Sequence, residues 1–109
     1  MNRGQIWTAA AGSGYAGKPR PVVIIQDDRF DATDSVTVCA FTTDSMEAPL
    51  FRLSVESSPQ NGLRDISSLM VDKITTVRRS KLGERIGRLS SEDMVRLDRA
   101  LVVFLGLAG

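Results

Sequence analysis

The chain has 109 residues, 42% of them hydrophobic and 25% charged, which describes one globular domain and excludes a disordered chain. Its formal net charge of +1 provides no overall attraction for nucleic acid. Without histidine and with a single cysteine, the chain cannot build the usual zinc sites, the histidine-dependent catalytic triads or a disulfide framework.

The charges are unevenly distributed along the chain. Residues 1–25 carry basic side chains and no acid, acids dominate residues 26–72, and basic residues prevail again from residue 73 onward. A near-zero net charge can therefore conceal a basic face, and the alternative is a solvated surface of mixed charge. The longest apolar run, residues 101–105, is too short to span a membrane, so we expect a cytoplasmic protein.

Short apolar segments bounded by turn residues predict a series of strands. In chain order they cover 5–10, 22–25, 36–42, 52–55, 68–74 and 84–89. A segment rich in glycine and serine over 11–18 predicts a loop, and the stretch 57–62 predicts a turn because it contains an Asn-Gly pair.

The last part of the chain predicts a helix. Ser90 is the expected N-cap with Asp93 three residues later, and Gly106 is expected to end the helix. Between them, apolar residues recur at helical spacing: Met94, Leu97, Leu101 and Phe104. Many short strands and one closing helix predict a small curved sheet or barrel, in one domain over 1–109.

Residues 12–18 match the first seven positions of a phosphate-binding P-loop. The eighth position, which must be Ser or Thr to hold Mg²⁺, is Pro19. Pro19 and Pro21 also prevent the helix that such a loop opens. The segment therefore predicts a glycine-rich loop without nucleotide hydrolysis.

Three further segments, over 3–7 (RGQIW), 17–25 (GKPRPVVII) and 38–43 (VCAFTT), carry a resemblance to a known family. With 61–63, 71–74, 83–89 and the closing helix in the expected order, nearly the whole chain resembles the MazF/PemK (Kid) family of bacterial toxins. The resemblance implies a β-rich α+β fold, namely a small SH3-like barrel of the CcdB/PemK type with short helices and a C-terminal helix. It also implies a homodimer.

The same resemblance implies the toxin of a type II toxin–antitoxin system. Such a toxin is a ribosome-independent endoribonuclease that cuts single-stranded mRNA at a short preferred sequence. The ribose 2′-OH is the nucleophile, the products are a 2′,3′-cyclic phosphate and a 5′-OH, and no metal or other cofactor is needed. The implied partners are single-stranded RNA and a cognate acidic, MazE-like antitoxin, with no membrane.

The family's catalytic pair corresponds to Arg20 and Thr42. The Arg20 guanidinium suits charge stabilisation of the pentavalent phosphorus and, as a second role, proton donation to the leaving oxygen. Its high pKa makes it a poor general base. Thr42 is expected to position the phosphate by a hydrogen bond.

Asp72 is the third candidate, for catalysis or direct RNA contact. Some family members pair an acid here with an arginine two residues earlier, where this chain has Met70, and others carry a glutamate where this chain has Gly14. The alternative interpretation of Asp72 is a surface acid paired with Lys73 or an arginine.

The remaining candidates are expected to contact RNA. Lys18 suits a phosphate, and Tyr15 suits stacking on a base, although a solvated lysine and a turn-packing tyrosine are equally compatible with the sequence. A basic rim that follows the RNA is predicted from Arg78, Arg79, Arg85 and Arg88; these residues could instead only balance acids. Cys39, in mid-strand, is predicted to be inert core.

Two other hypotheses stay open on the same fold. One is a non-enzymatic, CcdB-like gyrase poison, but such toxins depend on a C-terminal tail that typically contains Trp, and residues 106–109 have none. The other is a degenerate family member that only binds RNA or its antitoxin.

Overall fold

The computed structural model describes residues 1–10, 18–44 and 46–107. Within these ranges the chain forms seven strands and one α-helix. The strands are β1 (Gln5–Ala9), β2 (Arg20–Ile24), β3 (Ser35–Thr42), β4 (Arg52–Val55), β5 (Ser67–Met70), β6 (Thr75–Arg78) and β7 (Leu82–Arg88), and the helix is α1 (Ser91–Phe104). Short 3-10 helices occupy Asp28–Phe30, Val71–Lys73 and Arg79–Lys81.

The strands form one antiparallel sheet in the order β4-β5-β3-β2-β1-β7, with β6 also paired to β3. The sheet is unclosed, since β4 and β7, at its two ends, do not pair with each other in the part of the chain that the structure describes. The predicted β-rich α+β fold with short helices and a C-terminal helix is confirmed.

Two apolar cores form because side chains alternate between the two sides of each strand. The first core lies between the sheet and α1; its fully buried members include Ile6, Val23, Cys39, Leu69 and Leu97. The second core takes the alternate positions of the central strands, namely Ala9, Val22, Ile24, Val36 and Val38. On β2 and β3, the alternate positions that lie beyond these apolar residues therefore reach the surface on the side of the second core.

Helix α1 begins and ends as the sequence predicts. The Ser90 hydroxyl accepts a hydrogen bond from the Asp93 backbone N–H at 3.1 Å, and Gly106 takes a left-handed φ of 74° just after the helix. The Leu107 N–H then donates to the Val102 carbonyl at 2.8 Å. Over the described ranges, no helix is long and apolar enough to cross a membrane.

The predicted strand over 68–74 is wrong beyond Met70. The 3-10 helix Val71–Lys73 interrupts it, and pairing with β3 resumes in β6, which the sequence prediction missed. Phe41 pairs with Leu69 and Val38 with Thr75, so the β5–β6 segment holds three more residues than β3 across this step. The interruption buries Val71 in the first core and takes the following residue out of the ladder.

The predicted turn over 57–62 packs closely against β7. The buried Asn61 side chain accepts from the backbone N–H groups of Ser58 and Leu63 and donates to the Glu56 carbonyl. Gly62 has a φ of 72°, and a Cβ there would lie 2.1 Å from the Ile86 carbonyl oxygen. Only glycine fits this contact without movement of the backbone.

Candidate active site

Arg20 and Thr42 meet at the ends of two neighbouring strands. Val22 of β2 pairs with Ala40 of β3, and the same register continued by two residues places Arg20 opposite Thr42. Because Val22 and Ala40 face the second core, Arg20 and Thr42 leave the sheet on that side. Arg20 is exposed and Thr42 half-buried, so the predicted pair is reachable from solvent.

Two serines extend this pair across the sheet. Thr42 pairs with Ser68 of β5, which pairs with Ser54 of β4. We call Arg20, Thr42, Ser68 and Ser54 the polar row, since their neighbours Phe41, Leu69 and Leu53 turn to the first core instead. The sequence prediction missed both serines because only the strand register reveals that they lie beside Thr42.

The Thr42 hydroxyl is held in place by the chain that follows β3. Its oxygen accepts a hydrogen bond from the Asp44 backbone N–H at 3.1 Å. A hydroxyl has one donor and two acceptor sites, so this bond leaves the hydrogen available for a substrate oxygen. Thr42 is thus a positioned donor at the end of β3, the strand next to the one that Arg20 begins.

Asp72 forms a two-pronged ion pair with Arg52. Arg52 Nε donates to one carboxylate oxygen at 2.8 Å, and Nη2 donates to the other at 3.1 Å. The Arg52 side chain is 6% exposed and the Asp72 side chain 23%. The hydrogen bonds from Arg52 hold the pKa of Asp72 below its ordinary value, despite partial burial, and the same bonds raise the pKa of Arg52.

Arg52 supplies the arginine that the local sequence lacks. Met70 stands two residues before Asp72, and the residue paired with Met70 across the β4–β5 ladder is Arg52. The side chain of Arg52 alternates with Leu53 and therefore leaves the sheet on the side of the polar row. The alternative interpretation of Asp72, an acid paired with an arginine, describes this contact, and the arginine comes from the neighbouring strand instead of from two residues earlier.

The other predicted RNA contacts are dispersed. Lys18 is exposed, two residues before Arg20, and Arg85 is exposed on β7 opposite Trp7. Tyr15 and Gly14 lie outside the described residues. Of these predicted contacts, Lys18 is the described residue that lies nearest to Arg20 in the chain.

Arg78 and Arg79 lie at the far end of β3. Arg78 pairs with Ser35, and Ser35 and Thr42 are the two ends of a strand about 23 Å long. Arg79 Nε donates to the Thr33 carbonyl at 2.6 Å, and its other nitrogens contact Asp31. The structure does not bring these two arginines to the polar row.

The described residues contain no group of three or more His, Cys, Asp or Glu side chains arranged to hold a metal ion. Cys39 is fully buried in the first core, as predicted. Burial raises the pKa of its thiol to about 12, with a further increase from the Asp72 charge. The thiol is therefore protonated and shielded at neutral pH, and it is not a nucleophile of this site.

Two relatives of this chain are named as MazF endoribonucleases. A protein of Mycolicibacterium smegmatis named "Probable endoribonuclease MazF" is 64% identical over 109 residues, covering 100% of both chains. An "Endoribonuclease MazF" of Staphylococcus epidermidis is 30% identical, covering 98% of this chain and 92% of that one. These identities are high enough, over enough of both chains, to reflect a common family.

Solved structures and a family model agree with these relatives. A mycobacterial endoribonuclease in complex with its cognate antitoxin superposes with a TM-score of 0.79 at 26% identity, over 98% of this chain and 96% of that one. A MazE-MazF structure from Deinococcus radiodurans has a TM-score of 0.80 at 16% identity, over 97% and 96%, and shows the shared fold. The model of the PemK-like, MazF-like toxins matches residues 2–105. The chain belongs to this family of toxins of type II toxin–antitoxin systems.

Proposed function

We propose that this chain is an endoribonuclease toxin that cuts single-stranded mRNA in the cytoplasm, as one catalytic domain over 1–109. The observation that carries the proposal is the β2–β3 register, which ends at Val22 and Ala40 and, continued by two residues, sets Arg20 opposite Thr42. Relatives named as endoribonucleases support the same activity. The gyrase-poison alternative has no comparable support.

The reaction that suits this site transfers the phosphoryl group from the 5′-oxygen of one nucleotide to the 2′-oxygen of the nucleotide before it. The ribose 2′-oxygen attacks the adjacent phosphorus and loses its proton to water, while the bond from phosphorus to the 5′-oxygen breaks. The products are a 2′,3′-cyclic phosphate and a 5′-hydroxyl. One extra negative charge develops on the oxygens around phosphorus in the transition state, so the site must supply preorganised donors there.

Arg20 and Thr42 supply such donors. The guanidinium carries several N–H groups in a planar fork, which suits the non-bridging phosphate oxygens. The Thr42 hydroxyl, already fixed by the Asp44 N–H, donates to the same phosphate. In a second role, Arg20 passes a proton to the departing 5′-oxygen and regains one from water.

RNA binding requires more contacts than catalysis alone. Lys18 lies two residues before Arg20 and is assigned to a flanking phosphate. Tyr15 is assigned to stacking on a base. More distant parts of the bound RNA are assigned to Arg78, Arg79 and Arg85. We further propose a homodimer and a cognate acidic antitoxin that folds onto the basic surface and competes with RNA.

The first test maps cleavage of a long single-stranded RNA in EDTA by the wild type, Arg20→Ala and Thr42→Val. We expect cuts at a recurrent short sequence with cyclic-phosphate ends. Removing one preorganised donor should slow cleavage by about 10²–10³-fold. Arg29→Ala is the matched control, because Arg29 is an exposed arginine that pairs with Asp27 on a distant loop.

The result against the proposal is a folded wild type that cuts no RNA, or an Arg20→Ala variant as active as the wild type. Competition by the antitoxin is tested separately, by titrating an antitoxin peptide into protein loaded with uncleavable RNA. If both remain bound together without loss of affinity, the two ligands do not share a surface.

A further inference from the structure

The Asp72 carboxylate is fixed in place yet still open to a ligand. Each of its oxygens already accepts one hydrogen bond from Arg52, at 2.8 and 3.1 Å. An ionised carboxylate has about four acceptor positions, and the backbone N–H of Asp72 itself acts on a third, so at least one remains for a ligand. The side chain is 23% exposed while Arg52 is nearly buried, so the carboxylate stays partly accessible on a fixed base.

The same geometry makes Asp72 a weak proton acceptor. A carboxylate that is hydrogen-bonded at both oxygens by a guanidinium favours its ionised form. The neighbouring charges are Lys73, next in the chain to Asp72, and Asp44, which acts on Arg52. An acceptor this well stabilised binds N–H groups without taking their protons.

Its position separates it from the bond that is cut. Thr42 is paired with Ser68 of β5. Met70, two residues further along β5, is the diagonal neighbour of Thr42, and the two residues lie about 7–8 Å apart. Asp72 lies two residues further along the chain, beside Arg52 on the next strand. A phosphate held by Arg20 and Thr42 therefore leaves Asp72 facing another part of the bound strand.

We propose that Asp72, held by Arg52, reads one nucleobase of the RNA by accepting hydrogen bonds from its N–H groups. The proposal rests on the proposed endoribonuclease function and assigns Asp72 to sequence preference, with Arg52 as a positioning residue. The base it accepts carries an amino group: adenine, cytosine or guanine. Uracil is rejected, because two carbonyl oxygens flank its single ring N–H and would face the carboxylate.

The test compares cleavage preferences on a short RNA randomised around the cut site. Wild type is measured beside Asp72→Asn and the double variant Arg52→Met/Asp72→Asn, which leaves no buried charge unpaired and so guards against misfolding. Asp93→Asn is the matched control, because Asp93 also accepts from an arginine, Arg96, but on α1.

We expect both Asp72 variants to lose discrimination at one position, with kcat/KM on the preferred sequence falling about tenfold to hundredfold through KM. Replacing the amino-bearing base at that position should lower the kcat/KM of the wild type and leave the kcat/KM of both Asp72 variants unchanged. Arg52→Lys keeps the charge but not the two-pronged geometry, so its discrimination at that position should lie between those of the wild type and the Asp72 variants. Asp93→Asn should retain the wild-type preference.

Two results would overturn the assignment. A loss of kcat by more than about a hundredfold on every sequence would make Asp72 a general base. Unchanged preference at all positions would make the ion pair structural only.

Affinity for an RNA made uncleavable by a 2′-deoxy substitution separates this proposal from the cleavage proposal. If wild type cuts nothing but binds with a base preference that Asp72→Asn removes, the assignment of Asp72 stands and the nuclease proposal fails. Binding without any base preference, or no binding of RNA, counts against the assignment.

Discussion

Arg52 places a guanidinium that is 6% exposed beneath the site surface, with Asp72 as its ion-pair partner. Removing the carboxylate alone leaves a nearly buried positive charge without this partner. We expect Asp72→Asn to lower the free energy of unfolding by about 1–3 kcal/mol, measured by urea denaturation. The double variant Arg52→Met/Asp72→Asn should recover most of that loss. An equal loss in both would mean that packing, rather than the charge, is responsible.

The same pair predicts a dependence of stability on acid. The pKa of Asp72 is lower in the folded state than its ordinary value of 3.8, so the unfolded chain binds its proton first as the pH falls. The stabilisation is therefore complete above that ordinary value and is lost as the pH falls through the lower, folded value. The difference in unfolding free energy between wild type and Asp72→Asn should narrow from pH 7 to pH 3. If that difference in unfolding free energy does not change with pH, the effect of the substitution comes from packing and not from the charge of Asp72.

At this scale the sequence led to residues but not to their partners. Arg20, Thr42 and Asp72 are predicted as site residues because segments around them match a family pattern. Arg52 is not, because it lies 20 residues before Asp72 and nothing local links the two. Strand pairing brings them together, and pairing register is a long-range property that composition and spacing do not contain.

Elements were predictable where burial and sequence pattern agree. The strand over 52–55 and the helix with its Ser90 cap match the structure, since each has a clear alternation or capping signal. The segment 68–74 misled because Val71 and Ile74 are apolar residues typical of strands, although Val71 enters the first core from a 3-10 helix. Strand β6 was missed because its residues other than Val77 are exposed and show no apolar period.

Two glycines with the same backbone conformation should respond differently to alanine. Gly62 and Gly106 have φ values of 72° and 74°, but only Gly62 has backbone atoms where a Cβ would lie. Gly106→Ala should cost about 1–2 kcal/mol from conformation alone. Gly62→Ala should cost about 1–3 kcal/mol more, because the turn must move away from β7.

Urea midpoints of the two variants, compared with wild type, measure this difference. Equal losses of unfolding free energy in the two variants would show that the turn can move away from β7 without destabilising the protein. In that case the packing of Gly62 against the Ile86 carbonyl would not help to hold the turn in place.

For the whole molecule, attraction to RNA must come from local charge, because the net charge is only +1. Residues 1–25 contain three basic residues and no acid, and two of them, Lys18 and Arg20, lie at the start of β2. Each phosphate contact to a single strand contributes about 0.7 to the slope of log affinity against log salt. Lys18→Ala should reduce the slope for uncleavable RNA by about that amount, and Arg29→Ala should leave it unchanged. An unaltered slope in Lys18→Ala would remove Lys18 from the RNA contacts.

The pairing of β1 with β7 joins the first strand of the chain to the last. Gln5 pairs with Arg88, the Leu89 N–H donates to the Gly4 carbonyl at 2.9 Å, and Arg3 bonds Asp98 on the helix at 2.5 Å. A chain emerging from the ribosome at about 5–20 residues per second cannot make these contacts until its last strand is free. The first strand therefore waits without these partners until residues 82–98 have left the ribosome, so this sheet and its helix are completed late in the synthesis of the segment they span.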